Sequence, residues 1–249
     1  MYLRYVAMGD SFTEGVGDER ADGQVRGWAD LVALGLAAAT PEPVGYANFA
    51  IRGKLLGPIV AEQLQPALAL KPDLLTIVGG GNDIMRPKVE ISYVVDLLEQ
   101  VVDAAQATGA RVVMLSGANP SRHLPMGSLM QKRGDRLADA ARAAFVRPGV
   151  TLVDNWADTE LEHKKYWSAD KLHMNALGHT RVASNVLRAL EVPIPTAWGE
   201  IAADEVRAQS TAAYYREFVL PWIGRRLSGR SSGDGRPPKR PTLQPVDLS

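Results

Sequence analysis

The chain has no cysteine. That excludes disulfides, thiolate zinc sites and a cysteine nucleophile, and says little about compartment. It also has no net charge, because 28 Lys and Arg offset 28 Asp and Glu. Nothing global therefore argues for nucleic acid or an acidic partner. No apolar run is long enough to span a bilayer. The N-terminus shows no basic region followed by an apolar run and a small-residue cleavage site. A secretory signal is not expected, and the cytoplasm is the default location. What is present is a chain of 249 residues, 46% hydrophobic. That suits one large domain, or one domain plus an extension, with ample core.

The apolar run Leu3 to Met8 contains Tyr and Val and stops at Gly9-Asp10-Ser11. It reads as a buried strand ending in a turn, with a helix start behind it. In an open α/β sheet that edge is where ligands bind. Gly9 permits a backbone that other residues resist, and so presents the Ser11 hydroxyl outward. On this stretch alone the plainer reading is that Ser11 or Asp10 caps the helix.

Further elements follow in alternation. Helices are expected over Trp28–Ala39, about Lys54–Leu70, Ile91–Thr108, Leu129–Phe145 and Asn175–Leu190. Pro58 and Pro66 blur the limits of the second. Strands are expected over Val44–Phe49, Asp73–Val78, Arg111–Leu115 and Val150–Val153. This order argues for a parallel sheet between two helical layers. Right-handed crossovers then bring Ser11, Gly53, Asn82 and the loop after Leu115 to one edge.

Acyl transfer needs an activated nucleophile, a base, a group orienting the base, and donors for an oxyanion. Ser11 supplies the hydroxyl. His173 lies in a loop just before a helix, three residues after Asp170, so one turn of chain returns that carboxylate to the imidazole. Asn82 follows Gly79-Gly80-Gly81 at a strand end, and its amide points into the cleft as a donor beside the Ser11 and Gly53 N–H groups. Each piece has a plainer alternative. His173 suits a surface or capping role, Asp170 suits capping the following turn or pairing with Lys171 or Arg181, and the three glycines suit a loop that gives the chain room or one that cradles a phosphate. No Lys-Ser or Lys-Thr follows that loop. Taken singly, these alternatives leave unexplained why all the features fall at strand exits or in one late loop.

The ordered set Gly9-Asp10-Ser11, Gly53, Gly80-Gly81-Asn82-Asp83 and Asp170-Lys171-Leu172-His173 resembles the four blocks of the SGNH, or GDSL, hydrolase family. The resemblance implies a three-layer α/β/α, flavodoxin-like fold with a parallel five-stranded sheet. It implies a serine esterase, lipase or related acyl hydrolase. Ser11 is then the nucleophile, His173 the base and Asp170 its partner. Ser11, Gly53 and Asn82 form the oxyanion hole, while Asp10 and Asp83 support the loops. No metal or other cofactor is required. The family's usual Leu after the serine is Phe12 here, at a position that packs behind the turn. An α/β-hydrolase is disfavoured, because Gly9-Asp10-Ser11-Phe12-Thr13 lacks the second glycine of a nucleophile elbow.

The expected chemistry is cleavage of a small-molecule ester or thioester with a small or medium acyl group, by a ping-pong route. Specificity is expected in loops 13–27 and 117–128 and near Trp167. Arg122-His123 is a candidate for the cleft mouth, and Trp156 and Trp167 for a pocket wall or the core. His163 and His179 lack a carboxylate–histidine spacing that would suggest metal. Two other functions remain: a non-catalytic binding module that keeps the SGNH scaffold, and a phosphate-ligand protein using the Gly79–Gly81 loop.

The domain division reads as a hydrolase domain over 1–192, a helical extension over 193–224 and a basic tail over 225–249. Glu200 to Trp222 is the expected helix, kinked or ended by Pro221. The tail carries six Lys or Arg and two Asp and is rich in Pro, Gly and Ser, so it is expected to be disordered. Composition favours a helix packed on the core with a solvated tail. The sharper reading is a helix and basic arm that touch anionic lipid at a membrane surface. Oligomeric state is not legible.

Overall fold

Side chains alternate across the first strand, β1 (Arg4–Met8), whose residues from Tyr5 onward are buried. Tyr5 and Ala7 enter one apolar cluster and Val6 and Met8 the other. A strand buried on both faces must have helices on both sides. In the computed structural model, which describes residues 1–125, 127–200 and 210–248, that is the arrangement. The elements after β1 are α1 (Ser11–Glu14), α2 (Trp28–Ala38), β2 (Gly45–Asn48), α3 (Leu56–Ala69) and β3 (Leu74–Ile77). Next come α4 (Gly81–Ile84), α5 (Ile91–Ala107), β4 (Arg111–Leu115), α6 (Gly127–Phe145), β5 (Val150–Val153) and α7 (Ala176–Ala189). Helices α2 and α7 cover one face of the sheet, and α3, α5 and α6 cover the other. The expected helices and strands of the hydrolase region are all found, with ends shifted by a residue or two.

The five strands pair in parallel in the order β5-β4-β3-β1-β2. This is the flavodoxin-like order, whose direction reverses between β1 and β3. Ser11 follows β1 and Asn82 follows β3, so the two blocks flank the switch point where open α/β sheets bind ligands.

The C-terminal region departs from expectation. Part of the helix expected over Glu200–Trp222 falls on residues 201–209, outside the described residues. Ser210 caps a new helix, its hydroxyl accepting from the Ala213 N–H at 3.3 Å. The helix runs through α8 (Thr211–Tyr214), a π-helical turn (Tyr215–Val219) and α9 (Leu220–Leu227). Pro221 therefore neither ends it nor sits in a regular interior. It occupies the first turn of α9, just after the wider turn, where a missing N–H is tolerated.

The tail expected to be disordered is instead folded. Residues Arg240–Pro245 form β6, antiparallel to β2, which makes the sheet six-stranded rather than five-stranded. The composition of the tail described its own poverty in apolar groups. It did not register the open edge of β2, whose backbone groups pair with any extended segment brought beside them. Pro241 and Pro245 are compatible with β6 because it is an edge strand. The tail's charges also have local partners. Arg240 lies over the Tyr46 ring at 5.3 Å, and Lys239 binds Asp30 at 2.6 Å. Among the described residues, no helix is long and apolar enough to cross a membrane.

Candidate active site

The turn after β1 is built by close backbone approach. A Cβ on Gly9 would lie 2.5 Å from Thr13 Oγ1 and 2.7 Å from the Val78 carbonyl oxygen. Gln63, buried on α3, holds both backbone groups of Gly9. Its Oε1 accepts from the Gly9 N–H and its Nε2 donates to the Gly9 carbonyl, both at 2.9 Å. Asp10 then caps α1, accepting from the Phe12 N–H at 3.1 Å. Ser11 is the first residue of that helix, so its N–H is among the donors that a helix leaves without an internal partner. Phe12 packs behind the turn as expected, its ring stacked 5.8 Å from that of His179.

The loop that carries Asp170 and His173 is a tight fold of chain between Trp167 and Met174, which bridge as antiparallel partners. Lys171 takes a positive φ of 62° to close it. One oxygen of Asp170 accepts from Ser168 Oγ at 2.7 Å and from the Leu172 and His173 N–H groups at 2.9 Å each. Its other oxygen lies 2.5 Å from His173 Nδ1, and His173 Nε2 lies 3.0 Å from Ser11 Oγ. Burial pushes the Asp170 carboxyl up. The hydrogen bond and charge of His173 and the two N–H groups outweigh it and hold the group well below the usual carboxylate range.

The other blocks converge on the same place. Gly53 takes a φ of +73°, at the end of the turn that leaves β2. Asn82 Nδ2 donates to the Lys54 carbonyl at 2.9 Å and to Asp10 Oδ2 at 3.1 Å. It ties the Gly53 turn to the Ser11 turn, and an oxyanion would have to share those protons. Asp83 accepts from the Leu56 N–H at 3.0 Å and so anchors the start of α3. Burial raises the carboxyls of Asp83 and of Asp10, the latter to about 6.

A cavity of about 130 Å³ opens beside Ser11, Asn82 and His173 and runs down between β4 and α6. Its deeper wall is apolar, with Leu98, Met114, Leu137, Ala138 and Ala141. Trp156 and Trp167 are both buried and both line it. Trp156 fits because α6 carries Gly134 there, where a Cβ would lie 2.1 Å from the indole ring.

His123 is drawn away from the cleft. Its Nε2 bonds the Glu162 carbonyl at 2.9 Å and its ring backs Trp167 at 5.6 Å, while Arg122 pairs with Glu162 at 2.8 Å. His163 pairs with Glu160 at the surface. Among the described residues, no group of three or more His, Asp or Glu is placed to hold a metal ion. Sequence reasoning missed Gln63, Glu14 and Arg52. Glu14 Oε1 and Oε2 accept from the Arg52 side chain and backbone N–H at 2.6 to 2.9 Å. Neither pair has a sequence signature, because the partners are far apart in the chain.

No curated protein sequence matches the chain significantly. Solved structures do match it in fold. The lipase Lip_vut3 from a goat rumen metagenome is 21% identical, with a TM-score of 0.62, over 78% of this chain and 100% of its own. TesA is 21% identical, TM-score 0.62, over 76% and 98%. Axe2, an acetylxylan esterase from Geobacillus stearothermophilus, is 20% identical, TM-score 0.59, over 77% and 95%. The model of the GDSL-like lipase/acylhydrolase family matches residues 7–181. The four motif blocks expected of such a protein all lie within that span, and the chain belongs to the GDSL-like lipase/acylhydrolase family, as an ester-hydrolysing enzyme.

Proposed function

We propose that the chain hydrolyses carboxylic esters through an acyl-enzyme on Ser11. His173 Nε2 takes the proton of the Ser11 hydroxyl as its oxygen attacks the ester carbonyl. The imidazolium then donates that proton to the leaving alkoxide, and the alcohol departs. Water attacks the acyl-enzyme by the same route in reverse roles, releasing the acid and restoring Ser11. Asp170 holds His173 in the tautomer with Nδ1 protonated and stabilises the imidazolium. The N–H groups of Ser11 and Gly53, with Asn82, stabilise the oxyanion. The observation that carries the reading is the unbroken line Ser11–His173–Asp170, at 3.0 and 2.5 Å.

The apolar cavity supports an acyl chain longer than acetyl. Its methionines, Met85, Met114, Met130 and Met174, adapt to flexible chains. Each methylene taken from water contributes about 0.8 kcal/mol, or about fourfold in kcat/KM, while the chain still fits.

The test is hydrolysis of p-nitrophenyl acetate, butyrate and octanoate by the wild type and Ser11→Ala, at neutral pH with a chelator present. The wild type should be active, with the longer esters preferred, and Ser11→Ala should lose about 10⁴-fold or more in kcat. Equal activity in the two proteins would remove Ser11 from the mechanism. A wild type inactive on all these esters and on acetylated sugars would favour the binding-module alternative.

A further inference from the structure

The C-terminal strap returns to the site from far outside the family-matched span. Lys239, just before β6, places its ammonium among three acceptors. These are the Glu14 carbonyl at 2.5 Å, Asp30 Oδ2 at 2.6 Å and the Val25 carbonyl at 3.2 Å. Glu14 is the last residue of α1, the helix that begins with Ser11. Its carbonyl is one that a helix end leaves unpaired, and a lysine there satisfies it and favours the helix dipole. The carboxylate of the same Glu14 holds Arg52, next to Gly53. The strap also meets this turn directly. A Cβ on Gly53 would lie 2.3 Å from Ser231 Oγ, and a Cβ on Gly233 would lie 2.1 Å from the Arg52 carbonyl oxygen.

We propose that Lys239 is a positioning residue of the active site, joining the end of the Ser11 helix to the Arg52–Gly53 turn through Glu14. The inference rests on the reading of Ser11 as nucleophile and Gly53 as oxyanion donor. The distance between those two groups sets how well the oxyanion is met as it forms. That distance depends on two turns from different strands, and Glu14 is bonded to both. With the ammonium gone, the Glu14 carbonyl and the Asp30 carboxylate lose a charged donor. Helix α1 has only four residues to hold its own end in place. A displacement of order 1 Å in such a constellation costs up to about 10²-fold in rate without weakening substrate binding.

The experiment compares Lys239→Met, Lys239→Arg and Arg240→Met with the wild type and Ser11→Ala. It uses the full chain and p-nitrophenyl butyrate, with unfolding by urea measured for each. Lys239→Met should lower kcat about tenfold with KM within twofold of the wild type, and Lys239→Arg should retain kcat within threefold. Arg240→Met loosens the same strand, through its contact with Tyr46, and should lower stability but not kcat. A kcat for Lys239→Met within twofold of the wild type would overturn the proposal. So would an equal loss in Arg240→Met, which would reduce Lys239 to a general fastening of β6. If Ser11→Ala were as active as the wild type, the nucleophile assignment would fall and this inference with it. A dead Ser11→Ala beside an unimpaired Lys239→Met would refute the positioning role alone.

Discussion

His179 offers a test of how the Ser11 turn is held. Its side chain is fully buried. Nδ1 accepts from the Trp28 N–H and Nε2 donates to the Val16 carbonyl, each at 3.2 Å. Protonating Nδ1 would set an N–H against an N–H in a site without water access. Burial accordingly lowers the imidazole from 6.5 to about 3, with nearby cationic groups adding to the effect. The unfolded chain binds this proton below about pH 6.5 and the folded chain does not bind it until about pH 3. Stability therefore falls as pH drops through that window, by about 1.4 kcal/mol per pH unit and about 5 kcal/mol in all. Asp10 acts in the opposite sense. Its carboxyl, raised to about 6, favours the folded state as pH falls from about 6 towards the unfolded value of 3.8, by about 3 kcal/mol. The two partly cancel, so the wild-type curve alone is not diagnostic. The difference between the wild type and His179→Gln is. Urea unfolding at half-unit steps from pH 3.5 to 7.5 should show the wild type losing stability faster than the variant by about one proton's slope. Whatever His179→Gln loses at neutral pH, parallel curves for the two proteins would refute the reasoning. So would an imidazole resonance of His179 that titrates near pH 6.5.

Other outcomes follow from the same geometry. Ala138→Leu should obstruct the cavity, cutting kcat/KM for octanoate about tenfold while leaving acetate within threefold, as read from the chain-length profile. Gln63→Met should strand the Gly9 N–H while the Gly9 carbonyl keeps the Ile51 N–H at 3.3 Å, costing about 1–3 kcal/mol in urea unfolding and lowering kcat. Gly134→Ala should push Trp156 from its seat, giving a shift in tryptophan fluorescence together with an altered chain-length preference. In Asp170→Asn the tautomer of His173 should be disturbed, and kcat should fall by about 10⁴ with KM little changed, provided that Asp170 has the role proposed here.

The sequence by itself determined the layers and the strand exits. A run such as Leu74-Leu75-Thr76-Ile77-Val78 followed by three glycines admits few readings, because burial on both faces and an abrupt stop are local properties. Ordered motif blocks likewise mark Ser11, Gly53, Asn82, Asp170 and His173, and the fold brings their turns together. Other decisions required the tertiary structure. Whether residues 240–245 stay solvated or pair depends on an open edge at β2, almost two hundred residues away. His179 is a buried spacer and His123 the back of Trp167 only because of what faces them. Gln63, Glu14 and Lys239 acquire their roles through backbone groups of distant residues, and a backbone carbonyl leaves no mark in the amino-acid code. The shape of the apolar cavity is likewise set by small residues on one helix facing large ones from other elements. Local patterning decides which elements form, but only their packing decides which polar groups are left for a distant side chain to satisfy.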